Sequence, residues 1–274
     1  MLKLGDGIMN NKKVAVIDSG LGGLTVVKLL RERLPNENII YFGDNARVPY
    51  GDKSKENIRE FAKQIIGFLC KQDVKYIVIA CNTMSSVALD VIKDTAQMPV
   101  ADVIDPTIAY IKKAGFDKIG VIATSATIQS NIYERKVKEA ATTIQVHSKA
   151  CPLFVPIIEQ GLLDGVIVED AIERSLYQYK EIQPEAIVLG CTHYTVWEDN
   201  IEKYFNNKIK IINTSIPIVE YVIKDIMEKK IQNTSDTRGN MELYFSDSCE
   251  RYKKYFENLF DDINIKIEEN VDIK

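Results

Sequence analysis

Short runs rich in Val and Ile alternate along the chain with stretches whose apolar residues recur at helical spacing. Three such runs predict strands at residues 14–17, 38–42 and 76–80. Their apolar positions are consecutive rather than alternating, which is typical of strands covered by helices on both faces. The helical spacing predicts helices at residues 24–34, 58–69 and 83–96. This order favours an open parallel sheet with right-handed crossovers.

The second half of the chain repeats features of the first half. Residues 119–125 resemble residues 14–19 at an offset of 105, and residues 187–193 resemble residues 77–83 at an offset of 110. Two matches at nearly equal offsets indicate an internal duplication. We therefore predict an α/β fold of two similar lobes. Each lobe is expected to be an open, mostly parallel sheet flanked by helices, with the active site in the cleft between them.

The lobe boundaries are predicted from the points where the repeat begins and ends. We expect the chain to cross into the second lobe at Asp105-Pro106 and to return after a strand at 209–212, with a helix following Pro217. The resulting assignment is residues 12–105 and 214–274 for lobe 1 and residues 106–213 for lobe 2. The tail is expected to contribute a strand at 243–246 and a helix around 252–259.

Composition and charge narrow the class of protein. Apolar residues make up 46% of the chain and charged residues 27%, which supports a packed core and excludes a disordered chain. The 35 basic and 39 acidic residues give a net charge of −4, so nothing indicates a nucleic-acid partner. The longest apolar run, 76–81, is far shorter than the roughly 20 residues that span a bilayer. Residues 1–13 lack the apolar stretch of a signal peptide, so we expect a cytoplasmic protein without a membrane partner.

The cysteines are odd in number and irregularly spaced. None of the five forms a CxxC pair, so the sequence predicts neither a disulfide framework nor a close-paired zinc site. In a reducing compartment they are expected to be free thiols. They are Cys70, Cys81, Cys151, Cys191 and Cys249.

Polar residues follow several of the predicted strands directly. Ligands of open parallel sheets bind beyond the carboxyl ends of the strands, so these residues are the candidates for a functional site. The segments are Asp18-Ser19-Gly20, Gly43-Asp44-Asn45, Cys81-Asn82-Thr83, Thr124-Ser125 and Cys191-Thr192-His193.

The glycine-rich segment from Gly20 to Thr25 allows two interpretations. A dinucleotide-binding loop needs glycine where Thr25 stands, and Asp44 is only a loose match for the acidic residue that binds ribose. We favour a tight strand-to-helix turn, whose amides at the helix N-terminus can hold a carboxylate as well as a phosphate.

Cys81 and Cys191 occupy equivalent positions of the predicted repeat. A lone cysteine after an apolar strand is usually a small buried hydrophobic residue. Two equivalent cysteines in facing lobes can instead approach one ligand from opposite sides, which suits removal of a proton from one face of a carbon and delivery to the other. Each thiol then needs a neighbouring base or a helix N-terminus, and His193 and Asp18 are the candidates.

Two other kinds of chemistry are weaker alternatives. Cys81, Cys191, His193 and Asp18 could form a zinc site of a hydrolase, although such sites usually contain a close pair of ligands. The strand-end segments contain no lysine, which disfavours a Schiff-base cofactor. We predict a site without metal or cofactor.

Together these segments resemble glutamate racemase, of the aspartate/glutamate racemase family, over nearly the whole chain. The order and spacing of the motifs carry the resemblance more than any single motif does. The matching segments are Asp18 to Thr25, Gly43 to Gly51, Ala80 to Thr83, Gly190 to Tyr194, and Ala150 to Pro156 with Glu159.

The resemblance implies a cofactor-independent enzyme that interconverts L- and D-glutamate and supplies D-glutamate for peptidoglycan. It implies that Cys81 takes the α-proton of D-glutamate and Cys191 that of L-glutamate. Asp18 and His193 would assist the two thiols, while Asp44 and Glu159 match acidic positions near the site without a defined role. The implied substrate-binding residues are Asp18, Ser19, Pro49, Tyr50, Gly51, Asn82, Thr83, Thr124, Thr192 and His193.

The sequence departs from the family after Tyr194, where Thr195-Val196-Trp197 replaces the usual proline and leucine. We expect this to change the local loop and Trp197 to be a packing residue. Related aspartate racemases tend to lack a histidine at the position of His193, so this residue favours glutamate. Racemisation of aspartate, and a two-lobed amino-acid binding protein with inert cysteines, remain the alternatives. The sequence leaves a homodimer open.

Overall fold

The computed structural model describes residues 11–252, 259–260 and 265–273, and these form an α/β fold. The strands are β1 (Lys13–Asp18), β2 (Ile39–Gly43), β3 (Val74–Ile79), β4 (Val100–Asp102), β5 (Lys118–Ala123), β6 (Gln145–Ala150), β7 (Ala186–Gly190), β8 (Lys210–Asn213), β9 (Met241–Phe245) and β10 (Ile265–Glu268). The α-helices are α1 (Leu24–Arg33), α2 (Lys55–Leu69), α3 (Asn82–Thr95), α4 (Ile104–Ala114), α5 (Ser125–Gln129), α6 (Ile132–Ala140), α7 (Phe154–Glu159), α8 (Val166–Leu176), α9 (Gln178–Ile182), α10 (Glu198–Tyr204) and α11 (Ser215–Glu228).

The strands form two sheets in which the neighbouring strands run parallel. Sheet A has the order β10-β9-β2-β1-β3-β4, and sheet B has the order β6-β5-β7-β8. The inner part of sheet A, β2-β1-β3-β4, therefore has the same topology as all of sheet B. This confirms the predicted fold class, and β1 and β3 correspond to β5 and β7, as the two sequence offsets indicated.

Helix α2 illustrates why these segments adopt their structure. Ser54 caps its first turn by accepting a hydrogen bond from the amide of Asn57 at 3.2 Å. Ile58, Ala62 and Ile65 lie on one face, and each is fully buried against sheet A. Each large apolar side chain buried in this way contributes about 1.5–3 kcal/mol.

The two sheets share an apolar core. One cluster of buried residues contains Val16 and Val78 from sheet A together with Val121 and Val188 from sheet B. The two sheets therefore pack against each other through a common apolar core.

Some elements differ from the sequence predictions. The structure adds β4 and β10, which are only three and four residues long. Such short runs carry too few positions to show a pattern. Helix α4 contains Asp105-Pro106 in its first turn, where proline is tolerated because its missing N–H would have no helical partner. The passage from sheet A to sheet B is thus a helix. Helix α11 begins at Ser215, before Pro217.

Two predictions concern residues that the structure covers only in part. Most of the helix around 252–259 and most of the segment 1–13 lie outside the described residues. Within the described ranges, no helix has both the length and the apolar character needed to cross a membrane.

All five cysteines are free thiols, and all but Cys70 are buried.

Candidate active site

A narrow cavity lies where the carboxyl ends of sheet A and sheet B face each other. Strand ends, the short 3-10 helix Tyr50–Asp52 and the start of helix α7 supply its lining. The lining residues are Ser19, Val48, Pro49, Tyr50, Gly51, Cys81, Asn82, Thr83, Thr124, Val155, Cys191, Thr192 and His193. The cavity therefore brings both candidate thiols together with most of the residues that the resemblance implied.

Asp18 lies behind this cavity rather than in its lining. Its Oδ2 accepts hydrogen bonds from the amides of Gly20 and Gly23, both at 3.1 Å. Its Oδ1 accepts one from Thr192 Oγ1 at 3.1 Å. The amides of the glycine-rich turn thus hold the carboxylate of Asp18. Burial raises the pKa of Asp18, although the charge of His193 and these hydrogen bonds lower it.

The glycine-rich turn also lets the two sheets approach closely. A Cβ atom on Gly22 would lie 2.4 Å from Thr192 Oγ1 and 2.6 Å from the amide nitrogen of His193. Only glycine fits between β1 and the segment that carries Cys191. The close approach explains why the turn is rich in glycine.

Cys81 stands at the N-cap of helix α3. Its sulfur accepts a hydrogen bond from the amide of Met84 at 3.4 Å, and its thiol donates to Ser19 Oγ at 3.7 Å. Burial raises the pKa of this thiol to about 12, and the nearby charge of Asp18 adds to the increase. Burial therefore favours Cys81 as a protonated thiol that can donate a proton.

Cys191 has a different neighbourhood, dominated by His193 and Glu159. His193 Nε2 lies 2.7 Å from Glu159 Oε1, and the same ring forms a hydrogen bond with Cys191. Burial lowers the pKa of His193, but its interactions with Cys191 and Glu159 raise it well above 6.5. His193 is thus a protonated imidazole beside the second thiol.

Neutral hydrogen-bonding groups make up the rest of the polar lining. Tyr133 OH donates to Asn82 Oδ1 at 2.6 Å, which fixes the amide orientation. Asn82 Nδ2 is buried and has no partner among the described residues. The Asn82 amide is therefore free to donate to a ligand. Elsewhere in the lining, Thr83 Oγ1 and Thr124 Oγ1 are 2.9 Å apart and join the two sheets across the cavity.

Asp44 supports the cavity wall from outside. Its Oδ2 accepts hydrogen bonds from Tyr50 OH and from Arg47 Nε, the latter at 2.6 Å. Arg47 in turn donates to Gln64 Oε1 at 2.6 Å. Asp44 therefore orients Tyr50, which lines the cavity, and does not itself reach the cavity.

The cavity lining contains no lysine or arginine. Over the ranges that the structure describes, no group of three or more His, Cys, Asp and Glu side chains is arranged to hold a metal ion. In the alternative zinc site, Asp18 is not available as a donor, because glycine amides and Thr192 occupy its oxygens. The site is equipped with two thiols, one imidazole and several neutral donors.

Three residues at the site were not among the predicted binding residues. Val48 and Val155 line the cavity from within two of the matching segments, and Tyr133 reaches it from helix α6. The role of Tyr133 depends on a contact between segments that are distant along the chain. Trp197 is fully buried against Phe154, with its Nε1 donating to Leu162 O at 3.0 Å, so it packs the core of sheet B.

Comparison with known proteins assigns this chain to a family. The Asp/Glu/Hydantoin racemase family model matches residues 24–222. The glutamate racemase of Thermoanaerobacter pseudethanolicus is 40% identical over 92% of this chain and 94% of its own length. That of Aquifex aeolicus is 37% identical over 88% of this chain and 91% of its own.

A solved structure agrees with these sequence matches. Glutamate racemase from Francisella tularensis in complex with D-glutamate superposes with a TM-score of 0.90 and is 38% identical, covering 96% of this chain and 98% of its own. The family resemblance inferred from the motifs is thus confirmed. The chain belongs to the Asp/Glu/Hydantoin racemase family.

Proposed function

We propose that the protein is a glutamate racemase that interconverts L- and D-glutamate through two thiols and without a cofactor. The observation that carries the proposal is that Cys81 and Cys191, which follow equivalent strands of two similar sheets, line the same cavity. A racemase needs an acid or base on each face of the α-carbon. Two thiols from facing sheets meet that requirement.

The lining suits a substrate that carries carboxylates and an ammonium group. Without arginine or lysine in the wall, the carboxylates are bound by neutral donors, chiefly the hydroxyls of Ser19, Thr83 and Thr124 and the free Asn82 amide. Thr192 and the segment Pro49-Tyr50-Gly51 complete the wall. A site built for one side-chain length leaves polar groups unpaired with a shorter substrate, so glutamate is preferred over aspartate.

The reaction from L-glutamate begins with Cys191 as thiolate and Cys81 as thiol. The Cys191 sulfur takes the α-proton, and the C–H electron pair stays on the α-carbon, delocalised into the α-carboxylate. The Cys81 thiol gives its proton to the opposite face, which produces D-glutamate and leaves Cys81 as thiolate. The raised pKa of Cys81 supports its starting role as the acid.

The reverse reaction begins from the other protonation state. Cys81 must then be the thiolate, and the ammonium group of bound D-glutamate supplies a positive charge that favours it. His193 protonates or stabilises the Cys191 sulfur as its charge changes. Asp18 acts indirectly, because its oxygens hold the turn between the two strands in place.

The cellular role that fits this activity is the supply of D-glutamate for peptidoglycan in the cytoplasm. We further propose that the catalytic cleft separates lobe 1, residues 12–105 and 214–274, from lobe 2, residues 106–213.

The optical rotation of L- and D-glutamate solutions tests the proposal directly. The protein should remove the rotation of either enantiomer, and in deuterated water it should place deuterium on the α-carbon of the product. Binding of glutamate without loss of rotation would instead identify an amino-acid binding protein. Activity that a chelator abolishes and zinc restores would favour the hydrolase alternative.

A further inference from the structure

The pair formed by His193 and Glu159 is held on its far side by a residue of the C-terminal segment. Glu159 Oε1 accepts from His193 Nε2 at 2.7 Å, and Glu159 Oε2 accepts from Tyr252 OH at 2.5 Å. Both carboxylate oxygens are therefore engaged, one by each partner. We infer that Tyr252 is a positioning residue that holds Glu159 against His193. The inference rests on the proposed racemase function.

Tyr252 is well placed to fix another side chain because its own position is fixed. Its side chain is 2% exposed, and its ring packs against Phe245 at the end of β9, with centroids 6.4 Å apart. Its amide donates to Cys249 O at 2.8 Å. Ordered packing of this kind is what holds a functional constellation in place.

The loop that leads from β9 to Tyr252 is anchored by Asn45, a residue of the strand-end motif without a role in the proposed reaction. Asn45 Nδ2 donates to Ser248 O at 2.9 Å, and Asn45 Oδ1 accepts from the amide of Asp247 at 2.9 Å. Asn45 follows β2, so sheet A holds the loop. The position of Tyr252, and through it Glu159, is thus tied to sheet A, although Glu159 belongs to helix α7 on the side of sheet B.

Loss of the Tyr252 hydroxyl changes the chemistry of His193 through Glu159. A carboxylate that has lost one of its donors can rotate away from the imidazole. The negative charge that favours protonated His193 then lies farther from the ring for part of the time. His193 consequently loses its proton at a lower pH, and catalysis that needs the protonated form fails earlier as the pH rises.

Tyr252→Phe tests the inference, with Tyr76→Phe as the matched control. Tyr76 OH also donates to a carboxylate, Asp225 Oδ2 at 2.7 Å, but far from the cavity. We expect Tyr252→Phe to lower kcat/KM for glutamate about threefold to thirtyfold. This is less than the roughly tenfold to 150-fold of a hydrogen bond to a charged group lost at the reacting atoms, because Tyr252 acts through Glu159. The alkaline limb of kcat/KM should move down by about half a pH unit or more. Tyr76→Phe should change neither quantity.

Two further measurements separate positioning from a merely structural effect. Only folded protein turns over, so partial unfolding scales the whole pH profile and does not move its limb. Because the chain has only two histidines, the NMR titration of His193 can be followed with His147 as an internal reference. A double-mutant cycle with Glu159→Gln should show that Tyr252→Phe has no added effect once the carboxylate is gone.

The outcomes are distinguishable from failure of the proposed function. If the unmodified protein does not racemise glutamate, the function is wrong and the His193 titration still tests the contact. An active protein whose Tyr252→Phe variant keeps the same alkaline limb and the same His193 titration would overturn the inference. An equal effect of Tyr252→Phe with and without Glu159→Gln would also overturn it.

Discussion

Replacing the sulfur of Cys81 by oxygen separates its part in the fold from its proposed part in the chemistry. The sulfur caps helix α3 through the amide of Met84 at 3.4 Å and contacts Ser19 Oγ at 3.7 Å. Serine retains a capping oxygen and the contact with Ser19. Alanine removes both, so the two substitutions differ mainly in the cap.

The expected magnitudes follow from these contacts. Loss of an N-cap costs about 0.5–2 kcal/mol, and a weak sulfur acceptor belongs at the lower end. We expect Cys81→Ala to lose about 0.5 kcal/mol of unfolding free energy and Cys81→Ser to remain within about 0.5 kcal/mol of the unmodified protein. A serine hydroxyl is far too weak an acid to replace the thiol. Racemisation should therefore fall by about 10²- to 10⁴-fold or more in both variants.

The assay combines circular dichroism on both enantiomers with exchange of the α-hydrogen in deuterated water. L- and D-glutamate have the same free energy in water, so kcat/KM must fall equally in both directions whatever the mutation. The two faces are distinguished by exchange alone. With Cys81 replaced, any remaining α-hydrogen exchange should be confined to L-glutamate, and Cys191→Ala should show the converse preference for D-glutamate.

Cys151→Ala provides the control, because Cys151 is equally buried but does not line the cavity. It should lose about 1 kcal/mol of stability through the missing sulfur and keep its activity. A folded Cys81→Ser protein that retains a tenth or more of the normal racemisation would refute the two-thiol mechanism. Cys81 would then be only a cap and a packing residue.

Three further predictions concern the sheet contact, the imidazole and the substrate. Gly22→Ala should lower kcat/KM at least about tenfold and cost about 1–3 kcal/mol, because its Cβ overlaps Thr192. Gly67→Ala, whose Cβ meets nothing within 4 Å inside helix α2, should instead stabilise by about 0.5–1 kcal/mol in chemical denaturation. The raised pKa of His193 adds stability that is present below about pH 6.5 and is lost as the pH rises through the folded value. The difference in unfolding free energy between the unmodified protein and His193→Asn should therefore shrink above pH 6.5, and a constant difference would contradict the assignment. Glutamate should exceed aspartate in kcat/KM by about 100-fold or more, and comparable values would overturn the substrate prediction.

The fold was predictable because its pattern is local and repeated. Buried strands such as β1 and β7 are consecutive apolar runs, and the helices between them show apolar residues at regular spacing. The two offsets gave the topological equivalence of the sheets. Strand β4, with only three residues, gave no such signal, and its place in sheet A depends on pairing with β3.

Of the residues at the site, those that directly follow a strand were the predictable ones. Residues that follow a strand directly, such as Cys81 and Cys191, must lie at the sheet edge wherever the rest of the chain goes. Tyr133 and Tyr252 reach the site from segments with no polar motif, through contacts 51 and 93 residues apart in sequence. Sequence pattern cannot report such contacts, because they are set by how the two sheets pack.

In the proposed mechanism, the duplicated sheets allow one site to serve both enantiomers. Equivalent strand ends place one thiol on each face of the α-carbon, so that either enantiomer meets a base on the side of its α-hydrogen. The thiols are nevertheless held by different groups. Cys81 meets the amide of Met84 and the hydroxyl of Ser19, and burial raises its pKa to about 12, whereas Cys191 meets the imidazole of His193. The raised pKa favours Cys81 as the acid, which is the protonation state that accepts L-glutamate in the proposed mechanism. In the proposed mechanism each turnover leaves the two thiols in the opposite protonation state, so proton exchange with water must come before the same enantiomer can react again. We expect this exchange to become limiting when substrate is abundant.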